Sequence, residues 1–212
     1  MVTVSRRSLG QLMSVCAAAA LTMTAFTLEA RADVATGEAA PAFSVQTATG
    51  EALSLDSLSG QTVVLEWTNH GCPYVQRHYG SEHIQNLQAS AAGDDVVWVQ
   101  IISSAPGEQG YVEAEEALSL NEERGAAPAH VVLDPSGDLG RLYDARTTPH
   151  MYVIDGEGVL QYAGAIDDQP RPRADSPEPT DYLTMALAAV SNGQSPDPAQ
   201  TQPYGCNVKY AY

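Results

Sequence analysis

The chain is poor in positive charge. Its 212 residues hold 10 Lys and Arg against 26 Asp and Glu, a formal net charge of −16, and Lys209 is the one lysine. Neither a nucleic-acid backbone nor an anionic lipid surface attracts such a chain, so both drop out as partners. Cysteine is scarce too: Cys16, Cys72 and Cys206 are too few for a disulfide-stapled scaffold. There is no internal repeat. At 44% hydrophobic and 17% charged, the composition is globular, which excludes collagen and low-complexity disorder for the bulk of the chain. The length suits one domain or a little more, with a real core.

The extended apolar stretch lies at the N-terminus. Arg6 and Arg7 precede an apolar run over 9–28, and Ala30-Arg31-Ala32 fits a small-x-small cleavage site. Residues 1–32 therefore read as a secretory signal, and Ser5-Arg6-Arg7-Ser8-Leu9 resembles a twin-arginine signal. The competing reading is a membrane anchor, but Gly10, Gln11 and several threonines interrupt the run. Val15 before Cys16 argues against a lipoprotein site, so Cys16 leaves with the signal. The expectation is a periplasmic or secreted protein, not membrane-bound in its mature form, starting at Asp33 with two cysteines. In an oxidising compartment Cys72 and Cys206 are either a structural bridge or a redox pair. A bridge between them closes a loop of roughly 130 residues, for which the chain-entropy model gives about 5 kcal/mol.

Along the mature chain, Phe43 and Val45 suggest a short strand, and Leu53, Leu55 and Leu58 lead to a turn at Ser59-Gly60. Residues 63–67, 96–102 and 131–133 are apolar, β-branched runs that predict buried strands. Pro73 opens a helix in which Val75, Tyr79, Ile84 and Leu87 keep helical spacing to about Gly93. A second helix is predicted over 111–124 and a turn or two over 139–143. Strands over 151–154 and 159–162 flank the turn residues 155–158. Residues 167–179 form a Pro-rich linker or surface loop, 182–190 a late helix ending at Asn192-Gly193, and 194–204 an extended segment. The order is β-α-β-α-β, then β-β, then a helix: an α/β chain with a mixed central sheet. The organisation expected is a signal over 1–32, a core domain over 33–167, and a linker, helix and tail over 168–212 packed on that domain.

Cys72 falls between a buried strand and a helix start. Backbone N–H groups there favour negative charge, which lowers a thiol pKa and yields the nucleophilic thiolate. His70, two residues earlier, adds to this effect if charged and close. The bland alternatives are a buried apolar cysteine and a hydrogen-bonded loop histidine.

The segment Trp67-Thr68-Asn69-His70-Gly71-Cys72-Pro73-Tyr74-Val75 resembles the active-site segment of thioredoxin-fold redoxins. The likeness is to the peroxiredoxin-like proteins of the alkyl hydroperoxide reductase/thiol-specific antioxidant superfamily. Thr147-Thr148-Pro149 resembles their cis-proline loop, and Gly205-Cys206-Asn207-Val208-Lys209-Tyr210 a branch with a C-terminal cysteine. The resemblance spans about 40–210. It implies a thioredoxin-like fold with helices flanking the sheet. Thr148 and Pro149 would face Cys72, and the loop backbone would pair with an extended peptide; an ordinary trans proline is the reading without it. Cys206 becomes a resolving thiol, with a structural staple as the alternative. Val75 stands where a Cys-x-x-Cys motif has its second cysteine. Thr68 lies four residues before Cys72, where peroxiredoxins have Thr or Ser three before, and Arg141 and Arg146 are candidates for their activating arginine.

The function expected is therefore an exported thiol–disulfide oxidoreductase, an antioxidant-type enzyme without a cofactor. Its site residues would be Cys72, Cys206, Thr148, Pro149 and His70. Its partners would be a protein or small-molecule thiol, disulfide or peroxide and a thiol electron donor. A thiol peroxidase is the first alternative. A copper-binding or delivery module using Cys72, His70 and His150 is the second, and a non-catalytic binding domain is the third.

Overall fold

Apolar, β-branched runs cannot face water on either side, and here they form the middle of one sheet. The computed structural model describes Met1 and residues 34–211; the expected signal and its cleavage site lie outside the described residues. Residues 34–211 form one compact unit.

A hairpin of β1 (Ser44–Gln46) and β2 (Ala52–Ser54) and a 3-10 turn (Asp56–Leu58) come first. Then follow β3 (Thr62–Trp67), α1 (Pro73–Gly80), α2 (His83–Gly93), β4 (Val96–Ile102), α3 (Ala114–Glu123), β5 (His130–Leu133) and α4 (Asp138–Leu142). The chain ends with β6 (Thr147–Thr148), β7 (His150–Ile154), β8 (Leu160–Gly164), α5 (Tyr182–Ser191) and β9 (Cys206–Asn207). The main sheet has the order β5-β4-β3-β7-β8. Strands β3, β4 and β5 run parallel, while β7 and β8 are antiparallel to their neighbours. The expected mixed sheet is thus present, with β3 at its centre.

Alternation along β3 sorts its side chains onto two faces. Val63, Leu65 and Trp67 pack with Phe43, Leu53 and Tyr143 on one face. Val64 packs with Trp98, Val75, Tyr79, Ile84 and Leu183 on the other, beneath α1, α2 and α5. Among the described residues no helix is long and apolar enough to cross a membrane.

The single helix expected from Pro73 to Gly93 is two helices. Glu82 takes a left-handed conformation, φ 60°, and turns the chain between them. Val75, Tyr79 and Ile84 face the core on both sides of this break, so their spacing conceals it. The helix expected over 111–124 starts later, because Glu113 is extended at its N-cap. The segment after Gly50 holds a second short strand and the 3-10 turn.

One buried polar group ties the helix behind Cys72 to the sheet. The Glu66 carboxyl accepts from Tyr79 Oη on α1 at 2.8 and 3.0 Å and from Trp98 Nε1 on β4 at 2.8 Å. Arg124 stacks over the Tyr79 ring at 3.7 Å. Glu66→Ala leaves two buried donors without an acceptor, at about 1–3 kcal/mol each. Urea unfolding is expected to show a loss of about 2–6 kcal/mol, and more than Glu66→Gln, which keeps an acceptor oxygen.

Candidate active site

Strand β3 ends at Trp67, and loop 68–71 delivers Cys72 to the N-cap of α1, with Pro73 at the first helical position. Asn69 shapes that loop. Its Oδ1 accepts from Gly71 N at 2.9 Å, and its Nδ2 donates to Gln109 O and Oε1 at 3.1 and 2.9 Å. Cys72 N closes the turn on Asn69 O at 3.0 Å. Behind it, Trp67 Nε1 donates to Ser103 Oγ at 3.0 Å, and Ser103 donates to Asp134 Oδ2 at 2.6 Å.

Opposite Cys72 stands the Thr148–Pro149 peptide bond, which is cis. The Cys72 thiol donates to Thr148 O at 3.0 Å. The C-terminal tail supplies the third component. Strand β9 pairs antiparallel with β6, setting Cys206 against Thr148 and Asn207 against Thr147. With the tail in place Cys72 is 0% exposed, while Cys206 is half-buried; both are free thiols.

The two thiols are pushed apart electrostatically. Burial alone would raise the Cys72 pKa, but hydrogen bonds from the Cys206 thiol and from the Val75 and Cys206 backbone N–H groups bring it below the ordinary value. Burial and the adjacent Cys72 push the Cys206 thiol up to about 11. The arrangement favours charge at Cys72 over charge at Cys206.

The tail is held on both sides of β9. Upstream, Tyr204 Oη donates to Asp167, accepts from Arg77 Nη2 at 2.6 Å and lies 3.0 Å from His78 Nε2. Burial and the Arg77 charge push His78 down to about 4, so it stays neutral beside the guanidinium at ordinary pH. Downstream, Val208 N donates to Arg146 O at 3.0 Å and Lys209 O accepts from Ala105 N at 2.7 Å. Tyr210 Oη donates to Ala145 O at 2.7 Å. The Tyr210 ring lies where a side chain at residue 140 would sit, and only Gly140 leaves it room.

Of the residues singled out in the sequence, the structure gathers Cys72, Cys206, Thr148 and Pro149. It does not gather His70, which lines a separate cavity of about 620 Å³ with Gln76, Tyr79, Gln85 and Arg124. The groups that lower the Cys72 pKa do not include it. His150 is buried, shares its Nδ1 with Tyr152 Oη at 3.1 Å, and is pushed by burial and Arg146 down to about 3. Among the described residues no three His, Cys, Asp or Glu side chains converge on a metal position. Arg141 is tied to Ser136 O, Ala211 O and the Tyr210 ring, and Arg146 to Asp144. Asn69, Tyr204 and Gly205 carry site geometry that sequence reasoning missed. An Asn two residues before Gly, an Asx-turn pattern, and a Gly directly before Cys were their signals.

The AhpC/TSA family model matches residues 36–163. The chain belongs to this family. The matched span contains Cys72 and the cis-proline loop and ends before the tail that brings Cys206. No curated protein is matched. Among solved structures, a hypothetical protein from Sinorhizobium meliloti 1021 is 23% identical, with TM-score 0.73, covering 84% of this chain and 96% of its own. An uncharacterized conserved protein from Geobacillus kaustophilus is 23% identical, with TM-score 0.72, covering 85% and 94%. A structure from Chlorobium tepidum, described as a candidate thiol:disulfide interchange protein DsbE, is 21% identical with TM-score 0.51, covering 62% and 85%. The fold is thioredoxin-like, and the protein is a thiol-dependent oxidoreductase.

Removing the Cys206 donor tests the electrostatics. In Cys206→Ala the midpoint of Cys72 alkylation against pH is expected to move up from the wild-type midpoint, because the thiolate loses the Cys206 thiol as a donor. Iodoacetamide kinetics followed by mass spectrometry read this directly. An unmoved midpoint would show that the helix start alone sets the thiolate.

Proposed function

We propose that Cys72 and Cys206 are the redox couple of an exported enzyme of thiol–disulfide exchange. The observation that carries this reading is the place of Cys206: β9 holds it against Thr148, whose carbonyl receives the Cys72 thiol. Val75 leaves no second cysteine in α1, so the partner thiol arrives from the C-terminus.

The steps follow from the opposite directions of the two pKa shifts. The Cys72 thiolate attacks one sulfur of a substrate disulfide; that S–S bond breaks, a Cys72–substrate disulfide forms, and the first substrate thiolate leaves. Cys72 no longer carries charge, so its share in the raised Cys206 pKa is gone, while the share of burial remains. Cys206 gives its proton to the released substrate thiolate or to solvent and attacks the Cys72 sulfur. The second substrate thiolate departs and the Cys72–Cys206 bridge remains. The substrate gains two electrons and the pair loses two. A donor thiol then attacks Cys206, the more exposed sulfur, and expels Cys72, whose lower pKa makes it the better leaving group.

Peroxide reduction is the second reading. The buried hydroxyls Thr68 Oγ1 and Thr148 Oγ1 have no partner, and each could donate to a small oxidant. The arginines named for that chemistry are engaged elsewhere, which favours disulfide exchange. A copper role finds no support in the placement of His70 and His150. Export rests on the N-terminal pattern of basic, apolar and Ala-x-Ala segments.

Cys206→Ser is expected to accumulate mixed disulfides on Cys72, and Cys72→Ser to lower turnover by at least about a hundredfold. Nonreducing peptide mapping and one coupled assay with a common donor check both. Hydrogen peroxide consumed at kcat/KM above about 10⁴ M⁻¹s⁻¹, with disulfides ignored, would reverse the order of the two readings.

Protein from its native host is expected to begin at Asp33. Intact mass decides this, and retention of residues 1–32 would count against export.

A further inference from the structure

One helix touches both ends of the tail segment that carries Cys206. Cys72 is the N-cap of α1, and Arg77 and His78 lie in its last turn. The tail spans the same interval. Cys206 stands against Thr148, whose carbonyl receives the Cys72 thiol, and Tyr204 reaches Arg77 in the last turn of α1. From Cys72 to Arg77 the helix rises about 7.5 Å. From Tyr204 to Cys206 an extended chain advances roughly 7 Å. The two spacings match, so an anchor at Arg77 sets a cysteine at the nucleophile. Gly205, between them, offers no side chain, and a Cβ there would fall on the Thr148 carbonyl. Tyr204 is therefore the nearest side chain that can anchor Cys206 from upstream. Its hydroxyl accepts from Arg77 Nη2 at 2.6 Å, donates to Asp167 and lies 3.0 Å from His78 Nε2. Arg77 and Asp167 are themselves paired at 3.3 Å, so the hydroxyl joins an ion pair. The Tyr204 ring lies 5.8 Å from that of Tyr74, in the first turn of α1. The ring contact keeps the segment near the helix, and the hydroxyl selects its position along it.

We propose that Tyr204 is a positioning residue: by engaging Arg77 and Asp167, its hydroxyl holds Cys206 where it attacks a disulfide at Cys72. The proposal rests on Cys72 and Cys206 as the redox couple. Without the hydroxyl the tail is still tethered, but Cys206 samples more positions, and its effective concentration at Cys72 falls. In the step that depends on it, Cys206 gives its proton to the released substrate thiolate or to solvent and attacks the Cys72 sulfur. The bond from Cys72 to the substrate sulfur breaks, its electron pair leaves with the second substrate thiolate, and the Cys72–Cys206 bond forms.

Equimolar dithiobis(nitrobenzoate) separates the two steps on the reduced protein. The first equivalent of nitrothiobenzoate reports attack by Cys72, and the second reports attack by Cys206 on the mixed disulfide. Tyr204→Phe keeps the ring and removes the hydroxyl. Its second phase is expected to slow at least about tenfold, the loss of one hydrogen bond to a charged group. The pH midpoint of its first phase is expected to move up, because Cys206 is less often in place as a donor to the Cys72 thiolate. A loss of stability alone moves no such midpoint. Tyr210→Phe removes the hydroxyl anchor on the other side of β9, a bond to Ala145 O. It is expected to slow the second phase at least about threefold less, because a bond between neutral groups contributes less than one to a charged group. Arg77→Gln withdraws the guanidinium from the Tyr204 hydroxyl and is expected to slow the second phase as Tyr204→Phe does; it carries the test if the phenylalanine variant misfolds. An unslowed second phase in Tyr204→Phe, an unmoved midpoint, or equal slowing by Tyr210→Phe would overturn the positioning role and leave the redox couple in place. A wild type that releases one equivalent only would overturn the couple itself.

Discussion

A ladder of two residues on each strand, β6 against β9, brings together the parts of the site. Cys72 is fixed by local structure, at the junction of a central strand and a helix. Cys206 comes from the far end of the chain, and nothing local steers it there. So short a ladder is marginal by itself. It persists because anchors flank it. Thr201 N donates to Ala163 O at 3.1 Å, and Ala165 N donates to Thr201 Oγ1 at 2.9 Å. Tyr204 is held by α1, and Val208, Lys209 and Tyr210 reach three further segments. Each such bond contributes about 0.5–1.5 kcal/mol. The tail is thus held by many modest contacts in series rather than by one large apolar patch, and such a strap can lift in part without unfolding the sheet.

A buried polar relay connects the nucleophile's strand to that strap. Trp67 donates to Ser103, Ser103 to Asp134, and Asp134 also accepts from Leu139 N at 3.2 Å and Gly140 N at 2.9 Å. Gly140 is the residue over which the Tyr210 ring lies. The end of β3, the start of α4 and the last anchor of the tail are therefore one hydrogen-bonded assembly. Its cost is low because every member is satisfied.

The strands and Cys72 were legible because their signals are local. Residues 63–67 and 96–102 are apolar without interruption, and a cysteine followed by proline after such a run marks a helix start. Thr148–Pro149 acquired a meaning only through the resemblance to redoxins. The turn at Glu82 was hidden because both halves of the broken helix keep their apolar faces on the same core. Strand β9 was hidden for a different reason: two residues have no periodicity, and their partner is nearly sixty residues away in sequence. His70 is near Cys72 in sequence, and it lines a cavity with Gln76, Tyr79, Gln85 and Arg124. In each miss, a tertiary contact determined what sequence proximity could not.

The same tail sets the reactivity of Cys72 and its accessibility, and the two move in opposite directions. While β9 is seated, the Cys206 thiol and N–H stabilise the thiolate. A hydrogen bond to a charged group contributes about 1.5–3 kcal/mol, so the seated tail favours the thiolate. That same strand covers Cys72 and pairs with the edge of β6. Lifting the tail opens the edge, removes the donors and leaves the helix start as the remaining support for the charge.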